Sequence, residues 1–142
     1  MQLSQIIETA QLYKDYYQTD NPFTYADALG IDIIFTSDFG KDFKAQIVNF
    51  MQRTIIFINE KYDAISRRLL CSHEIAHYLF HSTEETNYYN NITNMKQARL
   101  EHEANLFALA IALPDLGKSI SLENLSGYIL HEIMEKNLST TE

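Results

Sequence analysis

The hydrophobic period of the chain changes twice, and this change constrains the fold more than any other feature of the sequence. Apolar residues recur every three to four positions near the N-terminus, alternate or cluster between residues 31 and 58, and return to the helical spacing from Asn59 onwards. The first spacing is typical of amphipathic helices, whereas alternation and short clusters of Ile, Val and Phe are typical of strands. The order of helices, sheet and helices predicts an α+β fold, in a single domain over residues 1–142.

Three short strands are predicted in the middle segment. They cover residues 31–36, 45–50 and 54–58, and Gln52-Arg53 between the last two fits a tight hairpin turn. We expect these strands to form one small, largely antiparallel sheet.

Four to five helices are predicted around this sheet. They are a helix over about the first sixteen residues, a short helix through Ala28 that Thr24 could cap, and helices over about 59–82, 96–113 and 121–136. The polar stretch 83–94 is predicted to be a loop, and Pro114 is predicted to end the helix over 96–113. Because that helix is apolar on most of its circumference, we expect it to be central in the fold.

The charge balance excludes a general attraction for nucleic acid or an anionic membrane. Eleven Lys and Arg against 19 Asp and Glu leave a formal charge of -8. The single cysteine, Cys71, cannot form an internal disulfide, and the N-terminus lacks the basic start and continuous apolar stretch of a signal peptide. The longest apolar run, residues 106–113, is less than half of a membrane span. We therefore expect a cytoplasmic protein with no direct nucleic-acid binding and no membrane contact.

The segment His73-Glu74-Ile75-Ala76-His77 matches the pattern H-E-x-x-H within the third predicted helix. A spacing of four residues places both imidazoles on one helix face, one turn apart, where two nitrogens can bind one zinc ion. Glu74 lies beside them without binding the ion. The competing interpretation, a helix with two incidental histidines, is disfavoured by the helical context that the motif requires.

A catalytic zinc takes three protein ligands and a water, so a third ligand is expected further along the chain. His81 lies two turns, about 12 Å, from His73 along the helix axis and is expected to be structural. The better candidates are Glu101, His102 and Glu103, at the start of the next long helix. For Glu101 and His102, a partly solvated helix start favoured by the helix dipole is the preferred interpretation. Glu103 shares a stripe with bulky apolar side chains, where a carboxylate is costly unless a metal offsets the cost. Glu103 is therefore the predicted third ligand, with Glu101 as the alternative.

The motif and its surroundings resemble the ImmA/IrrE family of metallopeptidases. The matching segments are RRLLCSHEIAHYLFH over residues 67–81, EHEANLFA over 101–108 and the closing Leu113-Pro114, and ALGIDI and IIFIN are similar to the strand region of the family. The family shows H-E-x-x-H-x-x-x-H on a helix, then E-x-E-A-N-x-F-A, then an apolar stretch closed by Pro. The resemblance implies that His73, His77 and Glu103 bind zinc and that Glu74 is the catalytic carboxylate.

Two supporting roles stay open at this level. Zincins with a helix-borne glutamate ligand carry an acidic residue one turn later that orients a ligand histidine; Phe107 stands there in this chain, and Asn105 could make a comparable contact or simply pack. A group that stabilises the oxyanion of the reaction is also needed. The candidates for it are Tyr78, Tyr88, Tyr89, His81 and His131.

The resemblance implies an intracellular zinc endopeptidase that cleaves a helix-turn-helix transcriptional repressor of a phage or mobile element, an anti-repressor that relieves repression. Two alternatives remain. One is a zinc-stabilised binding module that sequesters a repressor or another partner without proteolysis, although a structural site has no need of Glu74 and usually closes with a fourth protein ligand. The other is a toxin of a toxin-antitoxin pair with the same protease chemistry, which the sequence does not separate from the first hypothesis.

Overall fold

The helices and strands follow the predicted order, and the α+β class is confirmed. The computed structural model describes residues 2–81, 94–113 and 122–141, so most of the predicted loop over 83–94, Pro114 and Ser121 lie outside the described residues. The elements are α1 (Leu3–Tyr17), α2 (Pro22–Ala28), β1 (Ile31–Thr36), β2 (Ala45–Phe50), β3 (Arg53–Asn59), α3 (Ala64–Phe80), α4 (Asn94–Ala112), a 3-10 turn (Leu122–Asn124) and α5 (Gly127–Lys136).

The three strands form a mixed sheet in the order β1-β3-β2. β3 pairs parallel with β1 and antiparallel with β2, so only one of the two pairings has the expected antiparallel direction. β3 is the most deeply buried strand, and Ile55, Ile56 and Ile58 are buried. Placing β3 at the centre covers both of its edges and leaves β2, which carries polar Gln46 and Asn49, at the edge of the sheet.

A two-residue turn joins β2 to β3, one position earlier than predicted. Phe50 pairs with Arg53, and the turn residues Met51 and Gln52 have φ of 52° and 67°. Positive φ at both central positions is typical of the type I′ turn, whose twist matches that of a hairpin.

Side-chain caps set the starts of three helices. Asn21 Oδ1 accepts a hydrogen bond from Phe23 N, so α2 begins at Pro22 rather than at a cap formed by Thr24. Proline fits the first helical position because the N–H that it lacks has no partner there. Asp63 caps α3 through Ser66 N.

The predicted last helix is divided in the structure. Residues 122–124 form a 3-10 turn, and α5 starts at Gly127 with Ser126 as its cap, the side chain of Ser126 accepting from Ile129 N. Two residues explain the break. Ser126 is a good cap for a helix start, and Gly127 is unfavourable in the interior of a helix.

Helix α4 is central, as predicted. Every residue from Glu103 to Ile111 is buried, and α4 packs against α1, α3 and α5. Phe107 is fully buried, with its ring against those of Tyr13 and Phe80. Because residues 103–111 of α4 are buried on all sides, their apolar pattern does not single out one face.

The C-terminal residues are tied to the start of α3. Ser139 accepts a hydrogen bond from Asp63 N through its carbonyl oxygen and donates its own N–H to Ser66 Oγ. Tyr62 and Thr140 form an isolated antiparallel bridge. These contacts tie the segment after α5 to the start of α3. Among the described helices, none combines the length and apolar character needed to cross a membrane.

Candidate metal centre

The two histidines of the H-E-x-x-H motif face each other on α3. The Nε2 atoms of His73 and His77 are 3.3 Å apart, one helical turn from each other, as the spacing predicts. His77 is buried and His73 is largely buried, with a side chain 12% exposed. The apolar residues that hold this helix against the core include Leu69, Ile75 and Ala76.

The carboxylate of Glu101, on α4, completes a triangle with these nitrogens. Glu101 Oε2 lies 3.0 Å from His73 Nε2, and Glu101 Oε1 lies 3.2 Å from His77 Nε2. The side chain of Glu101 is 36% exposed, so this corner of the triangle is the one open to solvent.

Glu74 lies beside the triangle and not in it. Its Oε2 atom is 3.8 Å from His73 Nε2, and the residue is buried. One ligand atom from each of His73, Glu74 and His77 lies within 4.8 Å of the others, a separation that one metal ion could bridge.

Glu103, the predicted third ligand, lies elsewhere. Its Oε1 atom is 2.7 Å from His81 Nε2, and its Oε2 atom is 3.9 Å from Arg99. Because residues two apart on a helix point in nearly opposite directions, the side chain of Glu103 leaves the histidine pair on the same helix that brings Glu101 to it. The structure therefore favours the alternative, Glu101, at this position.

The sequence did contain a signal for Glu101. Glu101 and Asn105 are four residues, one helical turn, apart on α4, and both line the cleft in front of the histidines. A ligand of a catalytic metal must face an accessible cleft. The polar pair therefore indicates the functional side of α4 better than the apolar stripe, which reports burial alone.

His81 ends α3 and turns back onto the motif. Its backbone is extended, with φ of -124° and ψ of 135°, and its N–H still donates to His77 O. The ring is buried, and its Nδ1 atom lies 2.8 Å from His77 Nδ1. His81 thus lies at the end of α3 and contacts the side of the His77 ring that faces away from Glu101.

The electrostatics of the triangle follow from the short contacts. Burial lowers the pKa of His73, but the hydrogen bond to Glu101 and the negative charges of Glu74 and Glu101 outweigh it and raise the pKa above its ordinary value. Burial likewise raises the pKa of Glu101, and the contacts with His73 and His77 reverse this and hold it far below its ordinary value. Each group therefore favours the charged form of the other.

A cleft of about 380 Å³ opens in front of the histidine pair. β2 and the segment before it form one wall, and α5 with Leu138, two residues after its end, forms the other. Its lining residues are Phe43, Lys44, Ala45, Gln46, Ile47, Leu70, His73, Glu74, His77, Glu101, Asn105, His131, Met134, Glu135 and Leu138. Lys44 and Glu135 form an ion pair across it.

One of the expected oxyanion-stabilising candidates lines this cleft. His131, on α5, is a lining residue with a side chain 58% exposed. Tyr78 is exposed, but it is not among the residues that line the cleft, and His81 is buried behind His77. Tyr88 and Tyr89 lie outside the described residues.

The triangle has the chemistry and the size of a metal site. The lone pairs of two imidazole nitrogens and a carboxylate repel one another at separations of 3.0 to 3.3 Å unless a cation or a proton lies between them. Metal–ligand bonds of about 2.0 Å in a tetrahedron separate the ligand atoms by about 3.3 Å, close to the three measured distances. The residues present therefore fit a tetrahedral metal.

Comparison with known proteins gives a family match and a phage relative. The family model described as the IrrE N-terminal-like domain, peptidase family M78, matches residues 26–136. An uncharacterised immunity region protein 2 of Bacillus phage phi105 is 29% identical over 103 residues, which are 70% of this chain and 62% of that relative. The chain thus spans less than two thirds of the relative's length. A search of solved structures gave no match. With the family match covering both helices that carry the site, the chain belongs to the IrrE N-terminal-like family of metallopeptidases.

Proposed function

We propose that this protein is a zinc-dependent endopeptidase. The observation that carries the proposal is the convergence of His73, His77 and Glu101 beside a buried Glu74, in a cleft large enough for a peptide segment. Membership in a peptidase family supports the reaction class. An open cleft in front of the three ligand atoms favours catalysis over a closed structural site, which takes a fourth protein ligand.

In this proposal His73 and His77 bind zinc through Nε2, and Glu101 is the third ligand. When bound, zinc would polarise the scissile carbonyl and lower the pKa of a water molecule to about 7. Placing Glu101 on α4 and both histidines on α3 means that the site forms only when the two helices pack. Zinc binding is therefore coupled to the folded state.

Glu74 is the general base of the proposed reaction. Its carboxylate is buried and lies 3.8 Å from His73 Nε2, so it borders the ligand triangle without being part of it. From there Glu74 takes a proton from the attacking water and later donates that proton to the leaving amine. A glutamine at this position keeps the shape of the side chain and removes the base.

His131 is the proposed stabiliser of the oxyanion. It projects from α5 into the same cleft as Glu74, on an exposed side chain that is able to reach a substrate carbonyl. An imidazole N–H there would donate a hydrogen bond to the oxygen that gains charge in the transition state.

We propose a helix-turn-helix transcriptional repressor of a phage or mobile element as the substrate, cleaved in the cytoplasm to relieve repression. Support comes from the name of the phage relative, which refers to an immunity region. The formal charge of -8 also suits a basic DNA-binding substrate, since opposite charges favour encounter.

The test incubates the zinc-loaded full chain with a helix-turn-helix repressor of the same element and, separately, with a proteome-derived peptide library. Mass spectrometry identifies the products. We expect cleavage by the wild type and by Glu8→Gln, a matched loss of charge at an exposed position of α1, and none by Glu74→Gln. Repressor binding without cleavage by the wild type would instead support a sequestering module, and equal cleavage by Glu74→Gln would overturn the assigned chemistry.

A further inference from the structure

We infer that His81 and Glu103 are positioning residues, which act through a buried triad of His77, His81 and Glu103 to hold the metal-binding tautomer of His77. This inference rests on the proposed zinc site and extends it to side chains that do not touch the metal or the substrate. It also assigns a purpose to an acidic residue that is buried in the core of the protein.

The triad is a continuous set of short contacts. His77 Nδ1 lies 2.8 Å from His81 Nδ1, and His81 Nε2 lies 2.7 Å from Glu103 Oε1. All three residues are buried, with 3%, 6% and 2% of their surfaces exposed. Contacts of this length between buried polar groups are hydrogen bonds, and one of them has a charged acceptor.

Metal binding leaves only one way to place the protons in this triad. If His77 Nε2 binds the metal, its proton must sit on Nδ1, so Nδ1 donates to His81 Nδ1. His81 Nδ1 is then the unprotonated nitrogen, and the proton of that ring sits on Nε2. His81 Nε2 donates in turn to the carboxylate of Glu103, which is an acceptor only. Each contact therefore supports the tautomer that the next one requires.

The buried carboxylate of Glu103 ends the triad as an acceptor, and this sets the donor-to-acceptor order of its hydrogen bonds. An isolated negative charge in the core is costly, and Glu103 gains a short hydrogen bond from His81 and a longer-range attraction from Arg99, 3.9 Å away. A carboxylate acting on a ligand imidazole, here through a second ring, raises the basicity of that imidazole and fixes its orientation.

The other ligand histidine, His73, has no histidine–carboxylate pair behind its ring, although the side chain of Asn105 forms a hydrogen bond with it. The Nδ1 atom of His73 is buried and has no hydrogen-bond partner among the residues that the structure describes. The triad therefore acts on one of the two imidazole ligands and not on both. This asymmetry predicts that loss of His81 changes the environment of His77 while leaving that of His73 intact.

The test measures the zinc dissociation constant of the full chain by competition with a chromophoric chelator. We expect His81→Leu, which removes the acceptor for His77 Nδ1–H, to weaken zinc binding by about tenfold to a hundredfold, and Glu103→Gln by about tenfold. His81→Asn places an amide oxygen near the position of Nδ1 and should recover most of the affinity. Glu8→Gln is the control for loss of a carboxylate.

A double variant separates positioning from packing. If Glu103 acts through His81, then His81→Leu combined with Glu103→Gln binds zinc no more weakly than His81→Leu alone. In the zinc-loaded wild type, NMR of ¹⁵N-labelled histidine should show a slowly exchanging Nδ1–H proton of His77. That signal should persist in His81→Asn and disappear in His81→Leu.

Two results would overturn the triad. One is a zinc dissociation constant within about threefold of wild type in both His81→Leu and Glu103→Gln. The other is a double variant in which the losses of zinc affinity add. Glu103→Gln preserves the side-chain volume and His81→Asn keeps a polar side chain, so they keep the test valid if His81→Leu does not fold. Cleavage is not read in these experiments. A chain that binds zinc and shows the triad but cuts no peptide would contradict the proposed function alone, whereas unchanged zinc constants would contradict the triad alone.

Discussion

Glu101 and Glu103 are two residues apart on α4, yet they act on opposite sides of the same imidazole ring. Glu101 Oε1 lies 3.2 Å from His77 Nε2, whereas Glu103 reaches the Nδ1 side of that ring through His81, 2.7 Å away. Because alternate residues of a helix point in nearly opposite directions, one short segment can supply a proposed ligand and a proposed positioning residue together. The first faces the cleft and the second lies in the core.

Removing zinc should lower the thermal stability of the protein. The proposed ligands lie on two helices, so zinc binds the folded chain and not the unfolded one. At a free zinc concentration about a hundredfold above the dissociation constant, the stabilisation is about 2.7 kcal/mol, which corresponds to roughly 10 °C in melting temperature for a chain of this size. Differential scanning calorimetry with zinc and with EDTA measures it. A shift below about 2 °C, or an equal shift in Glu101→Gln, would contradict binding across the two helices.

His131→Ala should slow cleavage without releasing zinc. The side chain lines the cleft but is not part of the ligand triangle, so its loss removes an oxyanion donor and leaves the metal in place. We expect kcat to fall by roughly a hundredfold, with KM for a cleaved peptide nearly unchanged. His102→Ala, one residue from the proposed ligand but not among the residues that line the cleft, is the comparison variant. A loss of zinc from His131→Ala, or an unchanged kcat, would remove His131 from the mechanism.

Phe107→Ala should destabilise the fold strongly. Phe107 is fully buried between the rings of Tyr13 and Phe80, so truncation leaves a cavity that neighbouring helices cannot fill. The expected loss is about 3 to 5 kcal/mol in the free energy of unfolding, measured by urea titration. Leu12→Ala, at a side chain that is 66% exposed, should change it by less than about 0.5 kcal/mol. Similar losses in both variants would be inconsistent with this core.

Most of the fold followed from the sequence, because hydrophobic periodicity reports burial. The three strands and the long helices lie where the apolar pattern indicated, within a few residues at their ends. The order and direction of the strands did not follow from the sequence. Strand order depends on which strand must be covered on both edges. Periodicity says nothing about pairing direction, so the parallel β1-β3 pair was not predicted.

The part of the site that lies on α3 was predictable from the sequence, whereas the ligand contributed by α4 was not. The spacing of His73 and His77 is fixed by helical geometry alone. The choice between Glu101 and Glu103 depends on the rotation of α4 about its own axis, and an apolar pattern that covers the whole circumference does not define that rotation. The role proposed for His81 depends on the extended backbone that ends α3, which sequence spacing does not reveal.

Acid should destabilise the start of α3 through Asp63. Hydrogen bonds from Ser66 hold the pKa of Asp63 below its ordinary value of 3.8. A group with a lowered pKa in the folded state contributes stability above its ordinary pKa and loses that contribution as the pH falls through the lowered value. Asp63→Asn keeps a capping oxygen but does not titrate there, so its melting temperature should fall less steeply than that of the wild type below about pH 5.

The measurement for this cap is the melting temperature between pH 6 and pH 3 in the presence of EDTA, so that zinc release does not contribute. Asp38→Asn, at an exposed turn position, is the matched control and should follow the wild-type curve. Parallel curves for Asp63→Asn and the wild type would show that the carboxylate of Asp63 does not stabilise α3.

The zinc content of purified full chains tests the central proposal, a metal site built from two helices with a separate catalytic base. Elemental analysis is made on wild type, Glu74→Gln and Glu101→Gln, each purified without added metal. We predict about one zinc per chain in the wild type and in Glu74→Gln, and a large loss in Glu101→Gln. A wild type without zinc, or a Glu101→Gln variant that retains a full equivalent, would contradict the site described above.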